Sequence, residues 1–131
     1  EFHGNSSRFV CKQCNATYPL KEIKISDEPV LCPKCSHLLK PDFIFFGEGI
    51  PYNAYHNSIK AANECDVFII IGTSGQVSPA NTIPGIAKQK GATIIEINKE
   101  RSLYTDYITD IYLEGKSSEI LTELDVRISR I

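Results

Sequence analysis

Four cysteines in two pairs, Cys11-Lys12-Gln13-Cys14 and Cys32-Pro33-Lys34-Cys35, constrain this chain more than any other feature of its sequence. A C-x2-C segment puts two thiolates on one tight turn, close enough to grip a single ion. A second such turn completes a tetrahedron of sulfurs suited to Zn²⁺. The seventeen residues between the pairs fall within zinc-ribbon spacing. Four sulfurs leave no open coordination position, so the expected role of the metal is to hold the fold, and any chemistry is expected elsewhere. Two disulfides would require an oxidising compartment, and nothing in the sequence resembles a signal peptide. The fifth cysteine, Cys65, lies between Glu64 and Asp66 at the edge of an apolar run and reads as a small buried side chain.

Length and charge narrow the function classes. At 131 residues the chain has the size of one domain. A net charge of −2 provides no basic field, so no direct nucleic-acid partner is expected. No apolar stretch is long enough to span a membrane as a helix, so no membrane partner is expected either. A reducing compartment, the cytoplasm with the nucleus left open, suits the unpaired thiols. The chain has no Met and opens on Glu1-Phe2-His3-Gly4, which reads as a piece of something longer.

Two parts with different residue patterns follow one another. Residues 8–42 carry short β-prone pieces (Arg8-Phe9-Val10, Thr17-Tyr18-Pro19-Leu20, Glu22-Ile23-Lys24-Ile25) broken by Pro and Asp, as in a loop-rich unit that a metal must staple. From residue 43 the pattern alternates. Phe43-Ile44-Phe45-Phe46 is a short apolar run closed by Gly47-Glu48-Gly49. Asn53 to Glu64 reads as a helix with Tyr55, Ile59 and Ala62 on one face, and Asp66 to Gly72 as a strand buried on both faces of a parallel sheet. Pro79 to Lys90 reads as a helix capped by Ser78, irregular at Pro84 and ended by Gly91. Thr93–Asn98 and Asp110–Leu113 read as further strands. Ser118 to about Ile128 reads as a closing helix with Ile120, Leu121, Leu124 and Ile128 inward. The expected class is α/β, a doubly wound Rossmann-like parallel sheet beside a small four-cysteine zinc ribbon.

Ligands of such sheets sit at the carboxyl ends of the strands. Here those ends read Gly72-Thr73-Ser74-Gly75, a hydroxyl-rich turn running into a helix, and Asn98-Lys99-Glu100. Backbone N–H groups and hydroxyls there suit a phosphate or a ribose, although such turns also contain Gly, Ser and Thr for turn geometry alone. The G-x-G-x-x-G fingerprint is absent.

Several segments appear in a fixed order: Glu1-Phe2-His3-Gly4-Asn5, the paired cysteines, Lys40-Pro41-Asp42-Phe43-Ile44-Phe45-Phe46-Gly47-Glu48, Gly72-Thr73-Ser74 with Val77-Ser78-Pro79-Ala80, Gly91-Ala92, and Ile95-Glu96-Ile97-Asn98. Together they resemble the second half of a sirtuin, the NAD-dependent protein deacylase family, from the first residue to about Leu121. The family's amino-terminal Gly-Ala-Gly cofactor loop and Gln-Asn-Ile-Asp segment do not occur in these 131 residues. The resemblance implies residues 1–7 as the end of an upstream catalytic segment, 8–42 as the zinc module and 43–131 as the carboxy-terminal part of an NAD-binding domain. The missing amino-terminal half of the same catalytic domain is then an expected partner.

Roles follow from the resemblance position by position. His3 matches the general base that acts on a ribose hydroxyl of NAD, a role that fits an imidazole titrating near neutrality. Ile44, Phe46, Gly47 and Glu48 match the strand and loop along the acyl-lysine tunnel, and Gln76 and Val77 match the facing loop. An extended segment with free backbone groups can pair with a substrate peptide as an added strand. Phe45 and Phe46 can sheathe a lysine stem, with one of the two expected in the core. Gly72, Thr73, Ser74, Asn98 with the adjoining Lys99, Lys116 and Ser117 match cofactor positions. Gly75-Gln76 stand where the family often carries bulkier apolar residues. His37 is not needed as a fifth ligand, and His56 is expected on a solvated helix face.

The implied reaction is attack of an acyl oxygen on C1′ of the nicotinamide ribose, loss of nicotinamide, and release of free lysine and acyl-ADP-ribose. Two other readings share these residues. One is a zinc-ribbon and nucleotide-binding module that senses or scaffolds, in which His3 has no purpose. The other is an ADP-ribosyltransferase, which uses the same electrophile with a different acceptor.

Overall fold

Strand β1 (Gly4–Cys11) runs antiparallel between β2 (Thr17–Pro19) and β3 (Leu39–Phe43) in a computed structural model that describes residues 1–130. The β1–β3 register breaks where Asn5 faces Asp42 and Phe9 faces Pro41, so Ser6, Ser7 and Arg8 bulge out. A proline in β3 cannot donate to the ladder, and the bulge falls beside it. Asn5 Oδ1 accepts from Ser7 N–H at 2.7 Å. Arg8 ties the bulge down by reaching Asp42 at 2.6 Å and Glu1 at 2.7 Å. The piece Glu22–Ile25 forms no strand, because Leu20–Glu22 is a 3-10 turn and Ile25 points to solvent. These elements belong to a compact unit, Glu1–Ala54, whose buried core is Phe9, Cys11, Cys32 and Leu39.

The second compact unit begins at Tyr55. Its parallel sheet has the order β4 (Val67–Ile71), β5 (Thr93–Asn98), β6 (Ile111–Glu114). Helix α1 (Tyr52–Glu64) leads into β4, α2 (Ile83–Gln89) connects β4 to β5, and α3 (Ser117–Ile128) follows β6. This is the α/β class expected from the sequence, with boundaries moved by one residue at α1, β4, β6 and α3. His56 is exposed, and Cys65 is half-buried.

Three local expectations change. Residues 79–90 do not form one helix capped by Ser78: Ala80–Thr82 is a 3-10 turn, Thr82 precedes α2, and the Ser78–Pro79 peptide is cis. Pro84 sits in the first turn of α2, where its missing N–H costs nothing. Gly91, with φ 95°, ends the helix as expected. Burial on both faces belongs to β5, whose Ile94, Glu96 and Ile97 are fully enclosed. In β4 only Ile70 is buried, while Val67, Ile69 and Ile71 are 49%, 47% and 44% exposed. The reason is position, since β5 is the central strand and β4 an edge. On α3, Ile120 and Leu124 are half-buried while Leu121 and Ile128 face solvent, so one narrow stripe meets the sheet.

Two carboxylates position the connection from β5 to β6. Glu96 is fully buried, and its Oε2 accepts from Thr105 Oγ1 at 2.9 Å and Thr109 Oγ1 at 2.8 Å. Asp110 brackets β5: its N–H donates to Ile94 O at 2.9 Å, its Oδ2 accepts from Ile94 N–H at 2.8 Å, and its other oxygen pairs with Lys88. The Ile94 N–H first, and Lys88 second, hold the Asp110 carboxyl below the usual carboxylate range. A depressed acid stabilises the fold at every pH above its unfolded value, about 3.9, and that stabilisation is lost as pH falls through the lower folded value. Asp110→Asn should therefore be less stable than wild type at neutral pH, and the gap should close in strong acid. Denaturant titrations across acidic pH check this, and a gap independent of pH would refute it.

Candidate functional site

The two cysteine turns are built alike. Asn15, one residue past Cys14, adopts φ 58° and returns its N–H to Cys11 O at 2.8 Å. Ser36, one residue past Cys35, adopts φ 57° and returns its N–H to Cys32 O at 2.8 Å. Cys11 N–H donates to Ala16 O at 2.9 Å, and Cys32 N–H to His37 O at 2.7 Å. A left-handed residue at each of these places reverses the chain directly after the second thiol, and Asn and Ser are short enough to adopt it.

The four sulfurs consequently converge, all lying within 4.8 Å of one another. Cys11 and Cys35 are 3.4 Å apart at Sγ, and Cys14 and Cys32 are 3.6 Å apart. Tetrahedral Zn²⁺ at about 2.3 Å from each sulfur sets its ligands about 3.8 Å apart, so the donor set fits that ion. A disulfide needs about 2.05 Å, and all five cysteines are free. Tyr18 Oη lies 3.4 Å from Cys32 Sγ, and this hydrogen bond pulls the Cys32 thiol down to about 6 while pushing the phenol up to about 12. The thiolate is the form a metal needs. His37 is exposed with Nδ1 3.0 Å from Cys35 O and is not part of the cluster.

Structural zinc contributes on the order of 10 kcal/mol to small metal-stapled folds. One zinc per chain is therefore expected by elemental analysis, with Cys65 as the reactive thiol until a chelator exposes the other four. Cys11→Ser should give insoluble or protease-sensitive protein and Cys65→Ser should not. Folded protein without metal would overturn this assignment.

His3 lies in the turn directly before β1 as an exposed imidazole. Its carbonyl accepts from Ile44 N–H at 2.9 Å, and its ring meets Phe2 edge-on at 5.1 Å. The glycine after it is obligatory, because Gly4 has φ 80° and a Cβ there would lie 2.1 Å from Asp42 O. Ile44, Phe46, Gly47 and Glu48 form one loop past the end of β3. Phe45 N–H donates to Glu48 Oε2 at 2.9 Å, Glu48 N–H returns to Phe45 O at 3.0 Å, and Gly47 takes φ 90°. Neither Phe45 nor Phe46 is in the core. Phe45 stacks edge-on with Phe43 at 4.7 Å, and Phe46 is 96% exposed. The N–H groups of Phe46 and Gly47 have no partner among the described residues. Gln76 and Val77 belong to the second unit and are exposed.

The cofactor candidates meet at the carboxyl ends of the three parallel strands. Gly72 N–H donates to Ile97 O at 3.0 Å, Asn98 Nδ2 donates to Thr73 O at 2.8 Å, and Gly115 N–H donates to Asn98 O at 2.9 Å. Asn98 thus binds the Gly72-Thr73-Ser74 turn on one side and the turn before Lys116 and Ser117 on the other. Its Oδ1 also accepts from Lys99 N–H at 3.0 Å. The turn does not run straight into a helix, since α2 starts only at Ile83. Its donors are instead the N–H groups of Thr73 and Ser74, which have no partner among the described residues. Lys116 precedes α3 and pairs with Glu119 at 2.9 Å. Open N–H groups, hydroxyls and Asn98 are a donor set for phosphate and ribose.

Sequence patterns alone do not single out four residues of these sites. Tyr18 reads only as strand, and Lys40 only as a letter in the resemblance. Glu96 reads as one position of an apolar strand, although a lone Glu in such a run is a signal for a buried, paired carboxylate. Tyr104 explains Gly75: that glycine is buried at φ 76°, and a Cβ would lie 2.8 Å from the Tyr104 ring, so a bulkier residue has no room.

Comparison with known proteins identifies the family. A family model, Sir2 family, matches residues 1–79. The chain is 40% identical over 130 residues to the NAD-dependent protein deacylase 2 of Pyrobaculum aerophilum, covering 99% of this chain and 51% of that protein. It resembles the crystal structure of a Sir2 homolog–NAD complex with TM-score 0.91 and 33% identity, over 99% of this chain and 50% of that one. It also resembles the structure of Sir2Tm bound to a propionylated peptide, with TM-score 0.86 and 25% identity, over 98% of this chain and 55% of that one. The chain spans about half the length of the curated relatives it matches. The residues matched by the family model include His3-Gly4, both cysteine turns, the loop to Glu48 and Gly72-Thr73-Ser74, and they are more than half of the sequence. The chain belongs to the Sir2 family.

Proposed function

We propose that the protein is an NAD-dependent protein-lysine deacylase that releases nicotinamide and acyl-ADP-ribose, an acyl transfer to ribose. In this reading residues 1–7 end an upstream catalytic segment, 8–42 are the zinc module, and 43–131 are the carboxy-terminal part of the cofactor domain. The observation that carries the reading is the convergence of the Gly72-Thr73-Ser74 turn, Asn98 and the Lys116-Ser117 turn at one end of the sheet, in a chain of the Sir2 family. The names of its relatives support it: a protein deacylase, an NAD complex and a complex with a propionylated peptide.

When bound, NAD supplies an electrophilic ribose carbon with nicotinamide as leaving group. The chain's own residues do the remaining work. Gly72, Thr73 and Ser74 offer N–H groups and hydroxyls to phosphate, and Asn98, Lys99, Lys116 and Ser117 orient the ribose side. Ile44, Phe46, Gly47 and Glu48 hold the acyl-lysine peptide as an added strand, and the resemblance gives Gln76 and Val77 a peptide-contact role of their own. His3 takes up a hydroxyl proton at a ring nitrogen. Cys11, Cys14, Cys32 and Cys35 hold a structural zinc away from the chemistry. Free cysteines fit a reducing compartment, taken here as the cytoplasm. No helix among the described residues is long and apolar enough to cross a membrane.

Nicotinamide release from NAD and an acetyl-lysine peptide, with products identified by mass spectrometry, tests the reading in the protein that carries both halves of the catalytic domain. His3→Ala should lose about 10²–10⁴-fold in turnover while zinc content and peptide affinity persist. Unchanged turnover in His3→Ala would favour the binding-module reading. ADP-ribose attached to protein, with the acyl group left in place, would favour the transferase. The 131-residue chain alone should show little NAD affinity and no turnover.

A further inference from the structure

The loop that follows β3 is held from below by a single ammonium group. Lys40 lies in β3 with its side chain 19% exposed. Its Nζ donates to Phe43 O, pairs with Glu48 Oε2 at 2.7 Å, and lies 4.6 Å from the centre of the Phe45 ring and 5.8 Å from that of Phe43. The same Glu48 oxygen accepts the Phe45 N–H. One charge therefore ties the start of the loop to its end and fastens the two aromatic rings between them. Lys40 first, and the Phe45 N–H second, hold the Glu48 carboxyl below the usual range.

This arrangement leaves two backbone donors, Phe46 and Gly47, unpaired among the described residues. A peptide that adds as a strand gains most when such donors are already fixed, because ordering a loose loop subtracts from its affinity. Lysine is well matched to this position, since its compact ammonium carries three donors that can be divided among a carbonyl, a carboxylate and a ring face.

We infer that Lys40 is a positioning residue for the peptide substrate: it pre-shapes the Phe43–Glu48 loop so that the Phe46 and Gly47 N–H groups receive an extended acyl-lysine peptide. The inference rests on the deacylase reading for the identity of that peptide. Steady-state kinetics with NAD and an acetyl-lysine peptide, together with hydrogen exchange, test it in the protein carrying both halves. Lys40→Met keeps the stem and removes the charge. It should raise the peptide KM about tenfold and speed exchange of the Phe45 amide, with kcat, the KM for NAD and zinc content unchanged. Lys40→Arg should recover part of the loss.

Glu48→Gln should raise the peptide KM as well, and combining it with Lys40→Met should add little, because both break one contact. A merely structural lysine would instead lower thermal stability or zinc content and move both KM values together, which overturns the inference. A Lys40→Met protein with wild-type peptide KM overturns it alone. A wild-type protein that releases no nicotinamide overturns the deacylase reading and this inference together.

Discussion

The meeting of four cysteine sulfurs within 4.8 Å is the constraint on which the first unit depends. Its buried core is Phe9, Cys11, Cys32 and Leu39, so half of the core side chains are also metal ligands. Without a cation, those sulfurs are small apolar groups with little area to bury, and a core of that size rarely holds a fold. With a cation they join two turns distant in sequence and clamp β1, which carries Cys11 at its end, against the turn that follows Val30. β1 begins at Gly4, so the strand that carries Cys11 at its end starts directly after His3. The bulge at Ser6–Arg8 separates the stretch that packs on the sulfurs from the stretch that presents the imidazole.

The second unit reaches an equivalent result without metal. Asn98 makes side-chain and main-chain bonds to the turns on either side of it. Two residues earlier on the same face, Glu96 pins the 99–110 connection through Thr105 and Thr109. Leu103 N–H in turn donates to Ser74 O, and Tyr104 packs against Gly75. The open donors of Thr73 and Ser74 are thus held by a buried carboxylate that touches neither. Rigid support of this kind is what a ligand-reading turn needs, since polar groups fixed before the ligand arrives need no reorganisation.

The zinc module is legible because ligand spacing is a local property, and the parallel strands because continuous apolar runs between glycines have few other readings. What stays hidden depends on neighbours. Residues 66–72 read as a strand buried on both faces, yet the central place in the sheet belongs to β5. Periodicity records that a run is apolar and carries no information about its order in the sheet. Ser78 reads as a cap, but a cap requires the helix to start next to it, and Pro79 with the following 3-10 turn moves that start to Ile83. The residue pattern changes at position 43 while the compact units divide after Ala54, because β3 pairs with β1 across a long separation in sequence. Tyr18, Lys40 and Glu96 serve groups brought to them only by tertiary structure, and no spacing announces that.

The exposed face of β4 also bears on how copies of this chain can meet. Val67, Ile69 and Ile71 line an outward surface of the sheet, with Ile111 of β6 on the same side, and the strand that carries the first three is an edge. A net charge of −2 provides little long-range repulsion between copies. An apolar face beside an open edge offers both a contact surface and a row of unpaired backbone groups. One strand thus combines three exposed aliphatic side chains with an open edge, a combination through which copies of the chain can meet.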